Sequence, residues 1–331
     1  MDTNHIQQSF FSHIRSKLPL HLSFVDEVAE LLNISNDSAY RRIRGEKPIS
    51  LDEAYVLCNK YNVSIDQLFQ LSQNSTIFSF HRADNLSTGF NRYLEFVENS
   101  LRIFKSMDNP RIIFHNRDVL IFHMMQFPEL NAFKFFFWKR TLMSYPEMAR
   151  QQFVGEETDE GLNESTKRIV TLYHELPTTD IFCDDCINIT IRQIEIYRQS
   201  NVFADKHLLI KVYTQLEEML NHLEMQTEAG KKFLYNQPVS LNSAPYEVYV
   251  NEWLMGDNTA YVADREKQIS FINLVGLNFI STYDKNFGEH ISKSLQNIIR
   301  KSTLISEVGE KERRIFFNKL REKIHERVRS I

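Results

Sequence analysis

The sequence predicts a mainly α protein: an N-terminal domain of five short helices, then a larger helical domain with a small antiparallel β-sheet near the C-terminus. Three observations predict it. Apolar residues recur at three- and four-residue spacings over long stretches, as at Phe90, Tyr93, Leu94, Val97, Leu101 and Phe104. Serine-initiated helix caps cluster between residues 23 and 67. Short β-prone runs bounded by turn residues collect between about 230 and 275. A length of 331 residues is that of about two domains, which the patterning divides as 1–72, a linker at 73–88, and 89–331.

Residues 6 to 18 carry Ile6, Phe10, Ile14 and Leu18 four apart, one face of a first helix that Pro19 ends. Ser23 with Asp26, Ser50 with Glu53 and Ser64 with Gln67 each match or nearly match the reciprocal N-terminal cap. There the hydroxyl takes the N3 amide and the side chain three residues on reaches back. After Ser23, residues Val25, Val28, Ala29 and Leu32 form one buried stripe. Asn33 tolerates the left-handed conformation that leaves a helix, Ile34 buries in the turn, and Ser35 caps the next helix. That helix, Asn36 to about Arg44, offers Ala39 and Ile43 inward, with Tyr40 at the edge. Its other side chains are Asn36, Asp37, Ser38, Arg41, Arg42 and Arg44, and Gly45 stops it. A short helix, a tight turn and a second, basic helix make a helix-turn-helix unit, whose second helix lies in a major groove. Asn pairs with adenine and Arg with guanine through two hydrogen bonds each, so these residue types suit base reading. Charge alone would make this helix a solvated surface. The caps, turn, stop glycine and following helices carry the reading.

These residues resemble the Cro/repressor class of helix-turn-helix domains (the xenobiotic-response-element family). The match includes E-V-A-E-L-L in the first motif helix and S-N-D-S-A-Y-R-R-I-R-G in the second. The trailing I-S-L-D-E-A-Y-V-L-C-N-K-Y-N-V-S-I-D-Q-L-F is similar to the family's fourth and fifth helices. The resemblance covers roughly residues 5 to 70 and implies double-stranded DNA as partner. By position it puts base reading on Asn36, Asp37 and Arg41. Backbone contacts fall on Ser35, Tyr40, Arg42, Arg44 and Lys47, with Ser38 on the same polar face. The chain departs from the family at Ser23 and Phe24, where many members carry Gln or Thr. It also departs at Asp37, which either reads cytosine N4 or favours the helix N-terminus. One helix reads few base pairs, and half-sites about 34 Å apart need a two-fold partner, so a homodimer is expected.

After Phe69 the run LSQNSTIFSFHRADNLSTG lacks periodicity and reads as linker. The helical period returns at Phe90 and breaks at Asn109-Pro110, and RIIFH reads as a short strand. A helical pair hinged at Pro128 then carries Phe133, Phe135, Phe136, Phe137 and Trp138, a cluster suited to core, dimer interface or ligand pocket. Helices follow at about 160 to 175, 180 to 200 and 204 to 226. No repeat of fixed period appears, and a degenerate helical-repeat array stays open. Phe233 to Tyr235, Tyr246 to Val250, Thr259 to Ala263 and Gln268 to Asn273 make up the small sheet. Helices at about 286 to 303 and 309 to 329 close the chain, the last with a basic, solvated face interleaved with Glu.

A net charge of −4 excludes a bulk polycation, so DNA affinity must come from the local concentration of Arg41, Arg42, Arg44 and Lys47. With 25 Phe against 9 Gly, large cores are favoured and phosphate-cradling loops lack their usual residue. Three cysteines argue against a disulfide framework, and Cys183 and Cys186 have metal-like spacing without a second pair. No G-x-S-x-G or dinucleotide fingerprint is present, so neither an enzyme, a cofactor nor a metal is expected. The opening residues lack a basic-then-apolar leader. The longest apolar run, about Ile269 to Ile280, is interrupted by Asn273 and Asn278, so a cytoplasmic protein off the membrane is expected.

The expected function is a bacterial-type DNA-binding transcription regulator, dimeric, whose C-terminal domain senses a small-molecule or peptide effector. One alternative is a peptide- or small-molecule-responsive receptor of helical-repeat type, which a groove lined by Asn and aromatics would favour. Another is a protein-interaction adaptor, which Arg41 and Arg42 held in internal salt bridges would favour.

Overall fold

Helices α1 (Thr3–Arg15), α2 (Phe24–Leu32), α3 (Asn36–Ile43) and α4 (Leu51–Tyr61) open the chain in the computed structural model. The structure describes residues 3–15, 18, 22–61, 63, 65, 76–83, 89–252 and 258–331. The chain divides into two units, Met1–Ile77 and Phe78–Ile331.

In the first unit, Phe10, Phe11 and Ile14 of α1 meet Phe24, Val28, Ala29, Ala39, Ala54 and Leu57 in one core. Small Ala29 and Ala39 let α2 and α3 approach closely. Asn33 adopts φ 51°, and the amides of Asn33 and Ile34 return to the Glu30 and Ala29 carbonyls, so α2 closes in a Schellman turn. Gly45 at φ 78° closes α3 the same way, with Gly45 N–H to Arg42 O and Glu46 N–H to Arg41 O. The expected cap at Ser64 and Gln67, and most of the fifth helix behind it, lie outside the described residues.

The second unit is built on an eight-stranded sheet. Its elements run β1 (Ser79–His81), α5 (Gly89–Ser106), β2 (Arg111–His115), α6 (Ile121–Met124), α7 (Pro128–Phe137), α8 (Glu160–His174), β3 (Thr178–Phe182), α9 (Asn188–Gln199) and α10 (Lys206–Ala229). They continue with β4 (Tyr246–Val250), β5 (Thr259–Ala263), β6 (Gln268–Asn273), β7 (Phe279–Thr282), α11 (Lys285–Arg300), β8 (Thr303–Leu304) and α12 (Glu310–Val328). The strand order is β1-β7-β6-β5-β2-β3-β4-β8. Strands β2, β3 and β4 are parallel and joined by helical crossovers, while β5, β6 and β7 form an antiparallel meander beside β2. Ile112 and Phe114 face the main core with α5 to α10 and α12. Ile113 and Ile181 face the opposite side, where Leu295 and Ile298 of α11 cover them.

This sheet corrects the expected fold class. A mixed sheet of eight strands stands where a small antiparallel one was expected, and it removes the helical-repeat alternative. Strand β3 runs into the stretch read as a helix from about 180, and β1 lies inside the stretch read as linker. The cause is physical. A central parallel strand is covered on both faces and loses the alternation that marks a strand, so a short one merges with the helix pattern that follows. Phe233 to Tyr235 is no strand; an isolated bridge joins Lys231 to Pro245 nearby. The aromatic cluster from Phe133 to Trp138 is core, ringed by Phe153, Tyr197 and Phe203. The last helix keeps most of its basic face in solvent, with Arg314, Lys319, Arg327 and Arg329 exposed, but its other face joins the core. Phe316, Phe317, Leu320 and Ile324 are buried, Arg313 is buried and donates to the Ile305 carbonyl, and Arg321 reaches Glu224 of α10.

Candidate nucleic-acid interface

Helix α3 is too short to stand alone, so its neighbours decide how it is presented. Ser35 caps it, its hydroxyl accepting from Ser38 N–H at 3.3 Å. At 100° per residue, Ala39, Arg42 and Ile43 point inward together, and Asp37, Tyr40, Arg41 and Arg44 share the outward face, with Asn36 of the first turn at its edge. All five of these are exposed, as are Ser35 and Lys47, with Ser38 half-buried.

Arg42 is the exception among the expected DNA contacts. It is 7% exposed. Its Nε and Nη2 clasp both carboxylate oxygens of Glu53 at 3.1 and 2.7 Å, and Nη1 donates to the Ser38 carbonyl at 3.2 Å. The Arg42 guanidinium holds the Glu53 carboxyl below the usual range. Glu53 also completes the reciprocal cap of α4: its carboxylate accepts from Ser50 N–H at 3.0 Å and its own N–H donates to Ser50 Oγ at 3.1 Å. A bidentate pair of this kind fixes angle as well as distance, so Arg42 and Glu53 lock the basic helix onto the next one.

The other expected contacts differ in how free they are. Asn36 donates from Nδ2 to Asp26 of α2 at 2.7 Å. Arg44 leans over the Tyr40 ring at 5.5 Å and pairs with exposed Glu46 at 3.2 Å, a contact that solvent screens. Arg41 is exposed, and its guanidinium makes no ion pair among the described residues. Ser23 starts α2 without the side-chain cap expected of it.

Two contributors carried no sequence signal. Gln7 of α1 donates to the carbonyls of Arg42 and Lys47 at 2.7 and 2.8 Å and accepts from Ile49 N–H at 3.0 Å. Gln8 donates to the Arg44 carbonyl at 2.8 Å. A polar residue on a helix names no partner 35 to 42 positions away; only the folded contact does.

The larger unit holds a second concentration of chemistry, wholly inside its core. Tyr246 donates to Asp180 at 2.8 Å, and the His123 ring lies 3.2 Å from the Tyr173 hydroxyl. Lys232 Nζ sits 3.4 Å over the Tyr173 ring and donates to the Tyr173 carbonyl at 3.1 Å. Burial pushes Lys232 well down and His123 down, so the imidazole meets Asp180 as a neutral ring. Each of these five side chains is at most 1% exposed, and the cluster joins α6, α8, β3, β4 and the loop after α10. The pair Cys183 and Cys186 is buried, with both thiols pushed up by burial. The aspartates between them hold Lys319 and Lys323 of α12. No group of three metal-ligating side chains occurs among the described residues, and no described helix is long and apolar enough to cross a membrane.

Residues 23–86 match the BetR domain, a helix-turn-helix-like DNA-binding domain family. The match spans α2 to α4 and runs on through β1. No curated protein and no solved structure matches the chain.

Proposed function

We propose that the chain is a sequence-specific transcription regulator. It reads double-stranded DNA as a homodimer through α3, with the larger unit as its regulatory part. The observation that carries this reading is the outward face of α3. Asp37, Tyr40, Arg41 and Arg44, with Asn36 at their edge, lie exposed on one side of a helix whose opposite side is pinned by Arg42 and Glu53, within the stretch that matches the BetR domain. A rigid mount with base-pairing side chains at its N-terminal end is what major-groove reading requires.

Selection of bound duplexes from a random pool at two salt concentrations tests it. The expected product is an inverted repeat with half-site centres about ten base pairs apart, or a multiple. Arg41→Ala should cost about 1–3 kcal/mol at one base position and relax specificity there, while Arg44→Ala weakens all sequences alike and flattens the salt slope. A folded protein that enriches nothing overturns the reading.

A specific observation favours the adaptor as a second reading. Arg42 is held internally and Asn36 is tied to Asp26, so part of the expected contact set is already engaged. Duplex binding separates the two: a regulator binds duplex and loses affinity in Arg41→Ala, whereas an adaptor binds no duplex with or without that side chain.

A further inference from the structure

A concave site of about 200 Å³ opens between α5 and the sheet of the larger unit. Phe96 and Phe104 of α5, Phe114 and Phe271 of the sheet, and Phe122 of α6 form its walls. The rings box the space with edge and tilted contacts, Phe104 to Phe271 at 5.7 Å and Phe114 to Phe122 at 6.5 Å. Every lining residue is uncharged. Three asparagines reach it, and two spend one carboxamide atom within the fold: Asn258 Oδ1 accepts from Arg117 N–H, and Asn273 Nδ2 donates to the Gly276 carbonyl. The third, Asn116, is 2% exposed, and its Nδ2 has no hydrogen-bond partner among the described residues.

A buried amide without a partner calls for an explanation, because leaving it unpaired costs stability. A site with apolar walls and one buried unpaired polar group is the usual form of a small-molecule pocket. We infer that this pocket binds an uncharged monocyclic aromatic molecule carrying one polar substituent that pairs with the Asn116 carboxamide. The size follows from the volume: an apolar cavity of about 150 Å³ takes up benzene, so about 200 Å³ holds one ring and a short substituent. The absence of charge follows from the lining, since an ion would lose its water with no counter-charge to replace it. An occupant also touches the polar core at one remove. Phe122 stacks on Tyr173 at 4.4 Å, and Tyr173 holds Lys232. As an effector site the pocket rests on the regulator reading; as a binding site it does not.

The test is calorimetric titration of the full chain, without DNA, with benzamide, toluene and benzoate. Benzamide should bind saturably, and benzoate at least tenfold more weakly. Asn116→Leu should weaken benzamide about tenfold and leave toluene unchanged. Ala260→Leu, which fills the pocket from β5, should abolish both at an unaltered melting temperature. The inference is overturned if wild type saturates with neither benzamide nor toluene, if benzoate matches benzamide, or if Ala260→Leu binds as wild type does. A chain that binds benzamide but no duplex overturns the regulator reading and leaves the site standing. One that binds its operator but none of the aromatics overturns the site alone.

Discussion

Replacing Arg42 by alanine separates a residue that builds the interface from one that uses it. In the folded protein the Arg42 side chain is 8% exposed and that of Glu53 20%. Removing one partner of a buried ion pair costs about 3–5 kcal/mol, because the remaining charge is left desolvated. Glu53 keeps the Ser50 amide and its exposed fifth, which brings the expected cost down to about 2–3 kcal/mol. That loss falls on the first unit. Both tryptophans lie beyond residue 77, so fluorescence would miss it. Hydrogen exchange of peptides covering α3 and α4 reads it directly. Amides there should exchange about 30- to 150-fold faster in Arg42→Ala, by the factor of ten per 1.4 kcal/mol, and at the wild-type rate in Arg41→Ala. The Glu53 carboxyl is held below its unfolded value, so the pair's contribution is complete above about pH 4.5 and lost as pH falls through the folded value. Exchange in wild type should therefore approach that of Arg42→Ala in acid. If Arg42→Ala exchanges like wild type and loses only DNA binding, Arg42 is a DNA contact and the mount has been misassigned.

Gln7→Ala removes three hydrogen bonds that tie α1 to the last turn of α3 and to the segment after it. It should cost about 1–2 kcal/mol and speed exchange at residues 44 to 50, and unchanged exchange there would discard the clasp. The larger unit should lose stability in mild acid. His174 donates from Nδ1 to the Val170 carbonyl at 2.7 Å and faces a Gln126 N–H at Nε2, an orientation set by Tyr235 N–H on Gln126 Oε1, so the ring is neutral. Burial lowers His174 to about 3 and His222 to about 4. The unfolded chain binds these protons first, so stability is full above about pH 6.5 and falls toward pH 4, by roughly 3 kcal/mol for the pair at pH 5.5. His222→Gln should flatten the pH dependence of the melting temperature, and an unaltered slope would refute the assignment.

Local punctuation was the most legible layer. Asn33, Ser35, Gly45 and the pair Ser50 and Glu53 do in the structure what their chemistry demands, because caps and left-handed stops depend on a few neighbouring residues. The strands Tyr246–Val250, Thr259–Ala263 and Gln268–Asn273 were equally readable, each bounded by turn residues. Their pairing was not. Nothing local says that Thr259–Ala263 joins Arg111–His115, some 150 positions away, or that Ser79–His81 closes the far edge. The same limit hid the polar cluster around Asp180 and the pocket beside α5, whose members come from elements scattered over the chain.

The misplacement of Arg42 has a different origin, since the information was present. With Ala39 and Ile43 inward, the helical period puts residue 42 on the same side, 60° from Ala39, while residue 41 lies at 200°, on the opposite side. Charge argued outward and geometry inward. Geometry prevails when a buried charge has a fixed partner, and the partner was visible too. Glu53 was recognised as the reaching side chain of a cap on Ser50, a use that occupies part of one carboxylate and leaves acceptor positions pointing back at α3. A capping glutamate that follows a helix-turn-helix motif is thus a ready counter-ion for an arginine at an inward position of the recognition helix. One side chain starts the next helix and aims the previous one, which leaves Arg41 on the outward face with no such anchor among the described residues.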